Sequence, residues 1–397
     1  MTSFGSAIAV SRGARDAALE AARGAKAALG GAAPKLAIAF ASAGYRDLDE
    51  VPAAIQAVLG PVPLVGGTSG GCLIGPHGIA SRGVSVIVLG GEGIAASVAT
   101  ARVSSPDLHD VVPAAESLTR ISDGAARDGL GEFACLAFAP GLMLDGEALV
   151  AALRKGAGVR AQLAGGLTGD DLTFDRTRAF ANGAVHDDHV VIAGIYTRTA
   201  LGIAARHGWR AVGPARTISQ TDGAWLITLD GRPAFDVWLE DARAAGAEPP
   251  RGRGQDVALY LANHYELGLE DRQLLEPLVR APFEIREDGA VRLSASLPEC
   301  KLARVMHATR ADMFEAARDA ARNASEAAGG AVAGALVLSC TGRMMALGDD
   351  FALEAASISK CLDAPVGGSC VFGEIARARR DVDAFHNTTA VVVAIPS

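Results

Sequence analysis

The stretch PLVGGTSGGCLI, residues 63–74, passes from an apolar run into glycine, and it has two counterparts: QLAGGLTGDDLTF from Gln162 and APVGGSCVFGEI from Ala364. A glycine pair that recurs three times behind a short apolar run marks a repeat, and a repeat is settled before any one copy is read as a motif. Upstream of each copy lies a run suited to a buried strand: LAIAFASAGYRD (36–47), CLAFAPGLMLDG (135–146) and GALVLSCTGRMMALG (334–348). A helical pattern follows each run: LDEVPAAIQAVLG, DGEALVAALRKGAG and DDFALEAASISKCL. Asp145 and Asp349 or Asp350 stand as N-caps, and Gly156 as a C-terminal stop. Beyond each glycine pair comes another strand-like run, GVSVIVLG (83–90), HVVIAGIY (189–196) and TTAVVVAIP (388–396).

The unit is therefore strand–helix–strand–glycine turn–strand, three times over. The expected class is α/β, with mixed sheets covered by helices. A right-handed crossover makes the first two strands of a unit parallel, and the third returns antiparallel. Asn182-Gly183 signals a hairpin turn. Gly66, Gly67, Gly165, Gly166, Gly367 and Gly368 read first as architecture, where glycine permits positive φ or close backbone approach. Residues 1–220 are expected to form an N-terminal domain with two copies, and 221–397 a C-terminal domain with an inserted segment and the third copy. In the insert, strands precede a helix begun near Asp230 with Pro233 in its first turn. AGAEPPRGRG (245–254) reads as a linker or loop, and Asp288-Gly289 as a hairpin turn. ADMFEAARDAARNASEAAGG reads as an amphipathic helix.

Bulk properties exclude several classes. The chain has 397 residues, half of them hydrophobic but only 5% aromatic, so its cores are built from Ala, Val, Leu and Ile. A net charge of −8 argues against nucleic acid or an anionic membrane as partner, and the RARR at 377–380 is followed by Asp381 and Asp383. Cysteines at 72, 135, 300, 340, 361 and 370 form no C-x-x-C motif and read as reduced, mostly buried thiols of a cytoplasmic protein. Residues 14–29 are charged and helix-periodic, not a signal peptide, and no apolar run is long enough to span a membrane.

These residues resemble the FIST family of bacterial sensory proteins, with an N-terminal and a C-terminal FIST domain. The matching stretches are VGGTSGG, AGGLTGDD, FANGAV, HGWRAVGPARTISQTDGAWLITLDGRPAFDVW, LVLSCTGRMMALG, PVGGSCVFGEI and FHNTTAVVVA, in family order from about residue 36 to the C-terminus. The resemblance implies a cytoplasmic ligand-sensing module in signal transduction, with small ligands such as amino acids proposed. It also implies a separate signalling output protein as partner. Some members look like haem-based nitric oxide sensors.

The chemical motifs divide along the same lines. Gly67-Thr68-Ser69-Gly70-Gly71 satisfies G-x-S-x-G, but a nucleophile elbow needs a helix after the serine, and CLIGPHGIASRG is not one. No phosphate-loop pattern is present. HDDH (186–189) reads as a polar turn rather than a metal site, and the metal question stays open. Cys340 has no neighbouring histidine to activate it and reads as a structural thiol. Arg343 and Glu374 form either a charge pair between turns or a grip for a zwitterion, with Asp170 and Asp171 at the matching place in the second copy. The expected ligand site gathers Gly66, Gly67, Thr68, Ser69, Gly165, Gly166, Asp170, Cys340, Arg343, Gly367, Gly368, Glu374, His386 and Asn387, where the glycine turns converge between units. The protein reads as a non-catalytic sensor of a small molecule. A hydrolase using Ser69 or Cys340 is the enzyme alternative, and an interaction scaffold is a third class. Haem is the one cofactor left open, with His386 as first and His264 as second candidate axial ligand.

Overall fold

Each glycine pair lies inside a strand, not in a turn. Leu64–Thr68 carries Gly66 and Gly67, Gln162–Thr168 carries Gly165 and Gly166, and Val366–Val371 carries Gly367 and Gly368. These assignments come from a computed structural model that describes residues 1–270, 276–297, 301–379 and 382–397. Each glycine strand runs parallel to its unit's opening strand, with Gly66 beside Ala39, Gly165 beside Ala137 and Gly368 beside Val337. A Cβ on those glycines would lie 1.8, 1.9 and 1.8 Å from the partner's carbonyl oxygen. Gly66 and Gly165 also hold φ of +145° and +142°. The glycines therefore allow close backbone approach within a sheet. The third pair is offset by one residue, so its second glycine matches the first of the other two.

Every unit contains more than the sequence pattern indicates. The first runs Thr2–Ala9 (edge strand), helix Ala14–Ala28, Pro34–Ala41 (opening strand), helix Val51–Leu59, the glycine strand, a hairpin of Leu73–Gly75 and Gly78–Ala80, and the return strand Val84–Gly91. The second repeats this with Ile94–Arg102, Val111–Arg127, Glu132–Pro140, Gly146–Ala157, the glycine strand, Ala179–Ala181 with Ala184–His186, and His189–Thr197. The third has Gly202–Arg206, Arg310–Ala327, Val332–Cys340, Phe351–Leu362, the glycine strand, Glu374–Arg379 with Val382–His386, and Ala390–Pro396. Each unit forms a six-stranded sheet in the order edge, return, opening, glycine, hairpin. The opening and glycine strands are parallel and the return strand is antiparallel, as expected.

The hairpin in each sheet belongs to another unit. The first unit's hairpin pairs with the third glycine strand, the second's with the first, and the third's with the second. This cyclic exchange ties the three sheets together. Asn182, at φ 51°, does make the expected hairpin turn with Gly183, but the hairpin is this exported one, separate from the return strand.

Low aromatic content has a packing consequence. Helix Ala14–Ala28 buries Ala14, Ala17, Ala18, Ala21, Ala22 and Ala25, and helix Arg310–Ala327 buries five alanines and Met313. Such faces let helix backbone sit directly on the edge strands. A Cβ on Gly5 would lie 2.1 Å from the Ala25 carbonyl oxygen, and one on Gly202 would lie 1.8 Å from that of Ala324.

Residues 210–307 are inserted between the third unit's edge strand and its first helix, and contribute a nine-stranded sheet among the described residues. Residues 245–254 form the expected loop between helices Ala234–Ala244 and Gln255–His264, and Pro282–Ile285 pairs with Val291–Leu293 around Asp288-Gly289. The helix expected near Asp230 begins at Ala234, with Pro233 at its N-cap, while Asp230 takes a left-handed turn at φ 49°. Asp145 caps its helix by accepting from Glu147 and Ala148 N–H. Asp350 sits at an N-cap position but its carboxylate pairs with Arg310 (2.8 Å) and does not cap the helix. Gly156 does not end its helix. It lies within it, where a Cβ would be 2.4 Å from the Val112 carbonyl oxygen, and Gly158 at φ 74° ends the helix. The strand-like run 334–348 stops at Cys340, and Thr341–Leu347 is a short helix. No helix of the described residues is long and apolar enough to cross a membrane. Cys72, Cys135, Cys340, Cys361 and Cys370 are free thiols, and Cys300 lies outside the described residues.

Candidate functional site

The three glycine strands do converge, and they close on one another. Gly70 N–H donates to the Cys370 carbonyl (2.7 Å), Gly169 to Thr68 (3.1 Å) and Phe372 to Leu167 (2.8 Å). The acceptor residues in turn donate to the start of the next exported hairpin: Thr68 to Arg178 (2.9 Å), Leu167 to Gly373 (2.9 Å) and Cys370 to Cys72 (2.8 Å). Six bonds form a ring with threefold pseudo-symmetry, and they use the backbone N–H groups a ligand would have needed. Ser69 is 1% exposed and donates to the Cys72 carbonyl (3.0 Å), with no base bonded to it among the described residues. Thr68 Oγ1 accepts from Arg178 N–H (2.9 Å). Asp170 accepts from the N–H groups of Thr173, Phe174, Asp175 and Arg176 and from the Thr173 hydroxyl, so it shapes its own loop.

A second group of the expected residues, Cys340, Glu374, His386 and Asn387, meets around the segment 386–389, with Glu374 directly after the ring residue Gly373. Arg343 is there too, fully buried, but Glu354 is its partner instead of Glu374, with Nη2 to Oε2 at 2.5 Å and Nε to Oε2 at 3.1 Å. Its remaining donors go to the carbonyls of His207 (2.7 Å), Thr388 (3.3 Å) and Met313 (2.9 Å). The fork of the guanidinium thus joins the third unit to the chain entering the insert.

Glu374 and Glu266 flank the Thr388–Thr389 peptide. Thr389 N–H donates to Glu374 Oε2 (3.3 Å), and the Thr388 hydroxyl to Glu266 Oε2 (2.7 Å). Among the described residues the Oε1 atoms of both carboxyls are buried without a hydrogen-bond partner, and the Cys340 thiol lies beside the Glu374 carboxyl. Arg280, also fully buried, donates to the Phe385 carbonyl (3.2 Å) and to Asn387 Oδ1 (3.3 Å), and pairs with Glu147. Thr388 is held at φ 48° between these clamps. Glu266, Arg280 and Glu354 were missed in the sequence. The available signal is a charge inside an apolar strand run, as in YELGLE and PLVRAPF, because a charge in such a place requires a partner.

Burial sets the protonation states. It pushes the Glu266 and Glu374 carboxyls well above the usual carboxylate range, and the Cys340 thiol far up, aided by the Glu374 charge. It pushes His386 down to about 4 and His207 down to about 3. The two pairs have opposite linkage. An acid whose pKa is raised by folding contributes stability below about pH 4.3, and this is lost as pH rises toward the folded value. A histidine whose pKa is lowered contributes stability above about pH 6.5, and this is lost as pH falls. For His386 the loss between pH 6.5 and 4 is about 3 kcal/mol. Urea unfolding across pH 4 to 9 should show a flattened acid limb in His386→Gln and a flattened alkaline limb in Glu374→Gln. Parallel profiles for variant and parent would show that these groups do not change charge in the way described.

Thr389, His386 and His207 line a cavity of about 20 Å³ with Glu276, room for about one water. It adjoins a groove of about 350 Å³ lined by His207, Trp209, Arg210, Glu276, Asp312 and Asp319. Trp209 N–H donates to His207 Nδ1 (2.9 Å), which places the ring proton of the neutral imidazole on Nε2, 3.4 Å from Glu276 Oε2. The buried indole Nε1 of Trp209 has no hydrogen-bond partner among the described residues.

Haem does not fit the two candidate ligands. His386 Nε2 faces the Ala376 carbonyl at 3.3 Å, and the cavity beside the ring, about 20 Å³, has no room for a porphyrin. His264 is exposed at a helix end, packed on the Tyr260 ring at 4.9 Å. At HDDH the acids are taken by arginines, Asp187 by Arg176 and Asp188 by Arg102, both at 2.7 Å. No group of three or more metal-ligating side chains occurs among the described residues.

No curated protein matches the chain. Among solved structures, cyanuric acid hydrolase from A. caulinodans is similar at 14% identity and a TM-score of 0.28, over 50% of this chain and 72% of that one. A second cyanuric acid hydrolase structure, described as evolutionary innovation by structural concatenation, is similar at 10% identity and a TM-score of 0.31, over 99% of both chains. Likeness this slight says nothing about fold or chemistry. Family models do match: the FIST N domain over residues 35–232 and the FIST C domain over residues 234–377. The chain belongs to the FIST family.

Proposed function

We propose that this protein is a non-catalytic cytoplasmic sensor that binds a small polar ligand, such as an amino acid, and passes the signal to a separate output protein. FIST domains are sensory, ligand-binding domains. In this reading residues 1–220 and 221–397 act as the two FIST domains. The ligand binds in the groove beside the cavity that His386 and Thr389 line, reaching them past His207 and Glu276, which border both. The glycine ring holds the units in register and does not contact the ligand.

The observation that carries the reading is the pair of buried carboxyls, Glu374 and Glu266, each with one oxygen unpartnered among the described residues, flanking a segment whose His386 and Thr389 line a cavity. Buried polar groups without partners are rare and mark places where something else binds. Neither rival nucleophile is activated. The Cys340 thiol is pushed up by burial, and Ser69 donates to a carbonyl. The test is native mass spectrometry of the purified protein, followed by thermal shifts with a panel of amino acids. A co-purifying small molecule or a saturable shift is expected, weakened at least about tenfold in His207→Ala and Thr389→Ala. If nothing co-purifies and no panel member shifts melting, the sensor reading fails.

A further inference from the structure

One loop outside the ligand region is strained in a way that packing does not require. Leu172 at φ 65° and Phe174 at φ 52° both adopt the left-handed region, which costs a bulky residue about 1 to 2 kcal/mol each. Both nevertheless remain partly exposed, with relative exposures of 39% and 52%. The loop is locked there by Asp170, 1% exposed, whose carboxylate accepts from four backbone N–H groups and one hydroxyl. Strain maintained by a buried carboxylate in order to display apolar side chains points to function.

The two side chains do not stand alone. Phe174 stacks on Phe372 at 5.3 Å and meets Phe283 edge-on at 6.4 Å. Leu172 and Met344 border the same point beside Gly71, and the Leu142 N–H bonds Thr177 in the loop. Phe283 and Leu142 are 43% exposed. The patch thus joins the second unit, the third unit and the insert on one surface. The charges flanking the strained pair are of one sign. Asp171 and Asp175 are exposed and have no ion-pair partner among the described residues, although Asp171 Oδ2 accepts from the Gly44 N–H (2.7 Å), whereas Arg176 is neutralised by Asp187.

We infer that this patch docks an amphipathic helix whose apolar face is flanked by Lys or Arg, supplied by the output protein. The inference rests on the sensor reading for the existence of such a partner. An apolar centre receives the anchors, and the aspartates select basic flanks over acidic ones. A free edge or membrane surface would not need the left-handed loop, and an anionic bilayer is repelled by the same aspartates.

The probe is an amphipathic leucine–lysine helix peptide, titrated calorimetrically into the full chain, with a leucine–glutamate peptide as counterpart. Binding of the basic peptide is expected, at least about tenfold tighter than the acidic one. Phe174→Gly removes the anchor and relieves the strain together, so it should lose at least about tenfold in affinity while melting higher than the parent. Val159→Asp, exposed elsewhere, should bind normally. Equal binding of both peptides, or unchanged binding in Phe174→Gly, overturns the inference. So does concentration-dependent dimerisation that Phe174→Gly abolishes, or binding to phosphatidylglycerol vesicles without binding to the peptide. These results are independent of the ligand panel, so the docking surface and the sensor reading fail separately.

Discussion

Alanine at Gly66 or Gly165 should lower the unfolding free energy by about 3 to 5 kcal/mol. Two costs add at each site. The φ of +145° or +142° is a region L-residues rarely adopt, and the new Cβ falls within 2 Å of the neighbouring strand's carbonyl oxygen. That oxygen is backbone of Pro34–Ala41 or Glu132–Pro140, packed in a sheet between layers, so it cannot swing aside as a side chain tip would. Gly367→Ala meets the Ile87 side chain at 2.6 Å and the Ser6 Cβ at 2.9 Å without a positive φ, so its cost should be smaller, about 1 to 3 kcal/mol. Gly131→Ala meets nothing within 4 Å and should lie within about 0.5 kcal/mol of the parent. Urea midpoints for the four variants check the order. If Gly66→Ala does not fold, the Gly367 and Gly131 variants still test the argument. Equal midpoints for Gly66→Ala and Gly131→Ala would show that the strand approach has been misread.

The same glycines show how far the sequence could be read. Three copies of a glycine pair behind an apolar run were enough to identify three units, their parallel first strands and their antiparallel return. The exchange of hairpins was not legible, because Leu73–Gly75 and Gly78–Ala80 are three residues each and leave no periodic trace. Short strands draw their stability from their neighbours, and sequence does not name the neighbour. The edge strands were hidden for a different reason. Thr2–Ala9 alternates weakly because Gly5 and Ala7 are there to admit a helix, not to show a hydrophobic face. Among the residues expected at the site, Cys340, Glu374, His386 and Asn387 were singled out from position alone, next to strand ends, and the structure brings them together. The partner of Arg343 was not. Glu354 sits in DDFALEAASISKCL, where a glutamate on a helix looks like a solvated residue, and only the packing of Phe351–Leu362 against the third sheet buries it.

That partnership supports the second large effect. Arg343→Met should cost about 3 to 5 kcal/mol, because it leaves the Glu354 carboxylate buried with only the Ser339 hydroxyl, at 2.8 Å, as donor among the described residues. Removing the second charge as well, in Arg343→Met with Glu354→Leu, should recover part of the loss, since an uncompensated buried ion is worse than an apolar pair. Recovery should stop short of the parent. The guanidinium also satisfies the carbonyls of His207, Thr388 and Met313, and each buried acceptor left open costs about 1 kcal/mol or more. The double variant therefore separates the charge pair from the carbonyl clamp, which neither single variant can do. It also separates stability from binding. His207 lines the cavity and Thr388 precedes Thr389, which also lines it, and the clamp fixes both carbonyls, so ligand response should remain weak in the double variant even where its melting recovers. Chemical denaturation and ligand titration on the three variants decide the matter. A double variant no more stable than Arg343→Met would deny that the ion pair is the dominant cost. One that regains full ligand response would deny that Arg343 positions the site.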